Sequence, residues 1–220
     1  MFGYAVGPHS WKKFLHPPVV RLWQATRDGN SLQIKEEPQE ARKMAFIGAR
    51  SCELHAIAVQ DRVFINGTYT EPRYKSKREQ VFTVAINCSH AGGTCFCVSM
   101  NTGPKASVGF DLALTEVLQG ERHYFIVEVG TELGEEVLRD LPVVAAQESE
   151  RTAAEDVVAR TTQQMGRAMD TTNIKDLLYS NYEHPPVGQR GITMPHLCQL
   201  HHGLSHLLLH DGRGCHRLAR

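Results

Sequence analysis

The sequence predicts an α/β (or α+β) fold, a mixed sheet with flanking helices, on the strength of three observations. Short apolar, β-branched or aromatic runs at residues 44–48, 81–86 and 124–129 have the length and composition of strands. A helical pattern follows the first run at 52–64, and a second helical pattern is expected around Asp111 to Leu118. Strand, helix, strand, loop, helix, strand is the order of an α/β domain.

Taken in chain order, residues 1–43 are rich in proline and charge, with Trp11, Phe14 and Trp23 as aromatic anchors, and no regular element is assigned to them. Met44 to Gly48 reads as a short buried strand. From Cys52 to Phe64, Leu54, Ile57, Ala58 and Val63 fall near one face at helical spacing, so Cys52 sits at or just before a helix N-terminus. Free backbone N–H groups and the helix dipole there favour thiolate over thiol. Asn66-Gly67 signals a turn, Val81 to Ile86 a strand, and Tyr124 to Val129 a strand with one buried face. Residues 147–169 read as a polar helical connector. Asn173 to Tyr182 is a short amphipathic helix stopped by Pro185-Pro186. The expected organisation is a cysteine-bearing α/β domain over 1–145, a helical connector over 146–185, and a tail of different character over 186–220.

The chain has 220 residues, enough to bury a proper core as one domain or two small ones. Its 24 basic and 24 acidic residues balance, so neither a nucleic-acid footprint nor attraction to anionic lipid is indicated. No apolar run reaches bilayer length and the first residues lack the pattern of a signal peptide, from which a cytoplasmic protein is expected. Six cysteines in such a chain read as reduced thiols for metal or redox work rather than a disulfide frame.

Cys88, Cys95 and Cys97 crowd into ten residues together with Gly92 and Gly93, directly after a strand, and Cys52 follows another strand. Four thiolates converging from two strand ends suit a [4Fe-4S] cluster or a structural zinc. The glycines let the loop bend round, and Cys95-Phe96-Cys97 supplies two near-adjacent ligands. Zinc is the weaker fit, since the chain contains no C-x2-C pair. Buried free cysteines also serve as small apolar residues. In a reading of another class, Cys52 is a redox-active or nucleophilic thiol activated by its helix N-terminus and Arg50, with His55 or His90 as base. Arg73, Lys75, Lys77 and Arg78 form a local basic run, read as a solvated turn or an acidic-partner patch.

The segments Phe2 to Phe14, Ile47 to Ile57, Asn87-Cys88 and Cys95 to Pro104 together resemble the beta subunit of soluble sulfhydrogenases and the related A subunit of anaerobic sulfite reductase. Phe110 to Thr115 and Phe125 to Gly130 fit the same pattern, so the resemblance runs from about Phe2 to Pro185. It implies an iron–sulfur subunit that passes electrons between flavin-containing and catalytic subunits of a hydrogenase or sulfite-reductase complex, holding a [4Fe-4S] cluster through Cys52, Cys88, Cys95 and Cys97. The chain departs from that pattern at Ser51 and Glu53, where the family is expected to carry Pro and Asp. It also begins inside the family's N-terminal domain, implying an internal or truncated start, and lacks the two-cluster ferredoxin module expected after Pro185.

That module is legible one base out of frame. Met194 is ATG and Pro195 begins with C, so skipping one base makes a cysteine codon. Leu197-Cys198, Leu200-His201, Leu204-Ser205, Leu207-Leu208 and Leu209-His210 do the same wherever the leucine codon ends in TG. The first four junctions then have the C-x2-C-x2-C-x3-C spacing of a bacterial ferredoxin run. The tail after about Pro185 is therefore expected to be a frameshift product. A genuine Leu/His-rich amphipathic tail, with histidines that bind metal adventitiously, is the alternative, and an inactive fragment is a third reading of the whole chain.

Overall fold

The computed structural model describes residues 2–3, 10–37 and 42–181. Among them are α1 (Lys12–Leu15), β1 (Trp23–Asp28), β2 (Ser31–Glu36), β3 (Met44–Ala49), α2 (Ser51–Phe64), α3 (Pro72–Arg78), β4 (Val81–Ile86), β5 (Leu112–Gln119), β6 (Arg122–Val129), α4 (Glu132–Arg139), α5 (Glu148–Gln163) and α6 (Ile174–Ser180). The class is mixed α/β, as the strand and helix patterns indicate. The chain divides into two compact units, the second formed by Pro18–Val20 and the residues from Asp170 onward. In that unit α6 is a two-turn helix with no buried residue, and its place matches the amphipathic pattern before Pro185. The tail after residue 181, with the frameshift reading that falls on it, lies outside the described residues.

The first unit is built on a four-stranded sheet of order β3-β4-β5-β6. β3, β4 and β5 are mutually parallel, and β6 returns antiparallel to β5 through a tight turn at Gly120. Parallel neighbours need a crossover of a dozen or more residues. Between β3 and β4 it is the helix pair α2 and α3. Between β4 and β5 it is the cysteine loop itself, which fills the whole connection from Asn87 to Asp111 without a helix.

The segment around Asp111 to Leu118, expected to be helical, is instead β5. Its apolar spacing fits either period, and pairing decides: β5 lies between β4 and β6 and is buried on both faces from Leu112 to Val117 apart from half-buried Leu114. The region before Met44 also holds more order than anticipated. Gly29-Asn30 forms the turn of the β1–β2 hairpin between the paired Asp28 and Ser31, with Gly29 at positive φ. Both hairpin strands are exposed along their length, Trp23 included, whereas Trp11 stacks on Phe46 with ring centroids 4.9 Å apart and anchors the core.

Small residues dominate the centre of the sheet. Ala49, Leu54, Ala85, Ala106 and Ala113 form one cluster, with Trp11 and Phe110 against it. Leu15, Phe46, Ile57 and Tyr74 form a second. Of the residues expected on the inner face of α2, Leu54 and Ile57 are in the core, but Ala58 and Val63 face solvent, and at the end of the helix Phe64 and the C-cap Ile65 pack against the second cluster instead. The basic run at 73–78 is α3, not a turn. Asp61 on α2 ties it down, accepting from the Tyr74 hydroxyl at 2.6 Å and from Arg78 Nε at 3.1 Å. The polar segment read as a connector forms α5, which lies against β5 and β6 through Val117, Ala154 and Val157.

Two polar side chains, buried Asn87 and half-buried Asp111, fix the ends of the cysteine loop. Asn87 donates from Nδ2 to Thr115 Oγ1 at 2.8 Å and accepts at Oδ1 from the Ala106 N–H at 2.7 Å. Asp111 accepts from the Thr83 N–H and from Thr131 Oγ1, both at 2.6 Å, joining the loop exit to β4 and to the N-cap of α4. Asn87→Ala leaves a buried N–H and a buried hydroxyl without their partner, which costs about 2–4 kcal/mol in total. Urea unfolding monitored by circular dichroism should show a loss of that size, with Val59→Ala on the solvent face of α2 changing stability by less than about 0.5 kcal/mol.

Candidate metal centre

The four cysteines of the translated domain are all free and all partly buried. Cys52 is the second residue of α2 and Cys88 the second after β4, so both lie at the carboxyl edge of adjacent parallel strands, where open α/β sheets present their ligands. A bulge brings Cys52 there. The β3–β4 register slips between Ile47 and Ala49, where Gly48 takes a φ of +96°. The extra residue breaks the in–out alternation and turns Gly48, Ala49 and Arg50 inward in succession. Helix α2 then starts with the Arg50 N–H donating to Glu53 Oε2 at 3.1 Å, half of a capping box.

The loop returns to the same edge. The Cys88 N–H donates to the Pro104 carbonyl at 3.2 Å, closing a 16-residue excursion. Inside it, the Cys95 N–H reaches the Gly92 carbonyl at 2.9 Å, and the Cys97 carbonyl accepts from the N–H groups of Met100 and Thr102 at 3.2 and 2.9 Å. These turns fold Cys95 and Cys97 back towards α2. Gly103 sets how close they come: a Cβ on it would stand 3.1 Å from Cys97 Sγ and 3.4 Å from Ser51 Cβ. Cys97 and the first residue of α2 therefore flank a spot that only glycine leaves open.

The thiols are within electrostatic reach of one another. Burial, followed by Cys88, Cys97, Glu53 and Cys95, pushes the Cys52 thiol up to about 11. The expectation that its helix N-terminus makes Cys52 a thiolate is thus overturned, because desolvation and like charges outweigh the favourable dipole. Burial also raises Cys88, against the charge and hydrogen bond of the Arg50 guanidinium, and burial, followed by the charge of the Cys95 side chain, raises Cys97. Arg50 serves Cys88 rather than Cys52. It is buried, and it also donates to the carbonyls of Phe2 at 2.6 Å, Asn87 at 3.3 Å and Ile86 at 3.4 Å.

Of the four cysteines named from the sequence, Cys52 lies on α2 and Cys88, Cys95 and Cys97 lie in the β4–β5 connection, and three neighbouring residues were not singled out as supports. Asn87, Gly103 and Ser51 carry no motif signal alone; only the parallel crossover makes an asparagine at the strand end and a glycine near the loop exit meaningful. Ser51 is 2 % exposed, and its Oγ has no hydrogen-bond partner among the described residues. His90 is exposed and half-buried His55 has an unpartnered Nε2. Among the described residues no three His, Cys, Asp or Glu side chains gather tightly enough to hold a single metal ion. The thiols of Cys52, Cys88, Cys95 and Cys97 are within electrostatic reach of one another, and four thiolates are the donor set that a [4Fe-4S] cluster takes.

Among the described residues no helix is long and apolar enough to cross a membrane. Sulfhydrogenase 2 subunit beta of Pyrococcus furiosus is 34% identical to this chain over 94 residues, 43% of the chain and 26% of that protein. The match thus spans about a quarter of the length of its curated relative. No family model matches the chain, and no solved structure does. Over those 94 residues the chain has a distant, partial likeness to sulfhydrogenase 2 subunit beta.

Proposed function

We propose that the chain is an iron–sulfur electron-transfer subunit, with Cys52, Cys88, Cys95 and Cys97 each holding one iron of a [4Fe-4S] cluster. What supports this reading is that four partly buried thiols lie within electrostatic reach of one another beside the carboxyl ends of the parallel strands β3 and β4. When bound, such a group supplies a one-electron store, filled by one redox partner and emptied by another with no bond made or broken in the protein. Asn87 holds the entrance of the loop, and Arg50 places a positive charge against Cys88, offsetting the charge of loaded thiolates. Phe96 and Met100, both about two-fifths exposed, put an apolar surface beside the ligands on which a protein partner could dock. The partial likeness to sulfhydrogenase 2 subunit beta supports other subunits of a hydrogenase complex as those partners, and we propose that a flavin-containing and a catalytic subunit are among them.

The test is anaerobic reconstitution of the full chain with iron and sulfide. Four irons per chain and a broad charge-transfer absorbance are expected. Cys95→Ser and Cys97→Ser should each lose most of that iron, and unchanged iron in both variants would falsify the assignment. Gly103→Ala presses a methyl group against Cys97 Sγ, so iron affinity should drop about tenfold while the circular dichroism spectrum is kept; wild-type affinity would show that Cys97 is not held by this contact.

We further propose that the chain after about Pro185 is translated out of frame. The support is the coincidence of Met194 and the leucines at 197, 200 and 204 with ferredoxin ligand spacing. Sequencing the source DNA across codons 180 to 220 should find leucine codons ending in TG and an open shifted frame downstream. Mixed leucine codons would make the Leu/His tail authentic.

A further inference from the structure

After α5 the chain crosses the cysteine loop. The helix is fixed to the sheet through Val117, Ala154 and Val157, and buried Thr161 in its last turn donates to the Val157 carbonyl at 2.9 Å. Gln164 closes it, its N–H reaching the Arg160 carbonyl at 3.1 Å. Residues 165–169 then run without regular structure and meet the cysteine loop at two points. A Cβ on Gly166 would stand 3.5 Å from the Gly93 carbonyl oxygen and 3.9 Å from its Cα, so the two backbones lie side by side. The Met169 N–H donates to Ser99 Oγ at 3.0 Å. Gly93 precedes Cys95 by two residues and Ser99 follows Cys97 by two, so the contacts bracket the Cys95-Phe96-Cys97 turn. Met165 and Met169 are half-buried and residues 166–168 between them exposed, as in a strap pinned at its ends.

We propose that residues 165–169 are a strap across the Cys95-Phe96-Cys97 turn that governs access to its two thiols, shut while Met169 holds Ser99 and open when that hydrogen bond breaks. As regulation of a cluster site this rests on the reading above; as a gate on two thiols it is tested without iron. One hydrogen bond and one glycine contact are few anchors for five irregular residues. The strap therefore opens locally far more readily than the sheet and helix beneath it unfold. Helix α5 stays docked when it does, since its own apolar contacts lie on β5 and β6. Cys52 and Cys88, at the strand ends, are held by other bonds, with Arg50, Pro104 and Glu53 among the partners of their backbone and neighbours. Opening thus acts on one pair of thiols and leaves the other pair as it was.

The experiment is anaerobic alkylation of the reduced, metal-free full chain with iodoacetamide at fixed pH, each thiol followed by peptide mass spectrometry. Ser99→Ala removes the acceptor and should speed modification of Cys95 and Cys97 about tenfold. Cys52 and Cys88 should change by less than about twofold, with the circular dichroism spectrum kept. Met169→Pro removes the donor from the other side and should do the same, and the double variant should be no faster than either single one. Ser99→Thr, which keeps the hydroxyl, should stay near wild type. Wild-type rates at Cys95 and Cys97 in both Ser99→Ala and Met169→Pro overturn the gate. Equal acceleration at all four thiols also overturns it, because the whole loop has then loosened, and so does a double variant in which the two effects multiply. Where one single variant loses its secondary structure, the other decides. The gate and the cluster fail separately: faster alkylation in a chain that retains no iron on reconstitution leaves the gate standing and brings down the cluster reading, and full iron with unchanged alkylation does the reverse.

Discussion

The buried carboxamide of Asn87 is the constraint on which the cysteine pocket depends. Parallel strands are usually joined by a helix that packs on the sheet and supplies its own backbone hydrogen bonds. The β4–β5 crossover has none, so a long irregular segment must be held against the core by other means. Asn87 meets both sides of that problem at once: its oxygen takes the Ala106 N–H from the returning loop and its nitrogen gives to Thr115 on β5. With the loop closed there and at Asp111, Ala106 enters the central cluster and the cysteines are left at the strand ends.

A second balance is electrostatic. Four thiols and Glu53 share a small, poorly hydrated space, and Arg50 is buried in their midst. Burial raises Glu53 as well, against the backbone N–H of Arg50. A charge as deep as Arg50's needs hydrogen-bond acceptors close by; three backbone carbonyls and Cys88 accept from its guanidinium. The geometry of that guanidinium thus depends on Phe2, whose own N–H bonds Glu116 on β5 at 2.7 Å. The start of the described chain is stitched into the same edge as the thiols.

What was legible in the sequence follows from what each signal measures. β3, β4 and α2 were found because a β-branched run or a helical stripe reports local preference and burial together. β5 was missed because Asp111 to Leu118 satisfies two periods, and its partners on either side, distant in sequence, decide between them. The β1–β2 hairpin went unassigned although Asp28-Gly29 is a turn signal, because its strands do not bury a face. At the site, four cysteines announced themselves by their chemistry. The protonation of Cys52 did not, since burial by residues far along the chain outweighs the local helix terminus. Ser51 and Gly103 matter only through contacts across the crossover.

The loop that carries Cys95 and Cys97 lies near the surface, with Phe96 and Met100 open to solvent between and beyond them. In an electron-transfer subunit, as proposed above, shallow placement would shorten the path an electron travels to another protein. It equally shortens the path of dioxygen and peroxide, to which partly exposed thiols are open along the ladder from sulfenic to sulfonic acid. The feature that makes the pocket useful for exchange with a partner also makes it perishable in air, and a covering surface at Phe96 and Met100 would act as its shield.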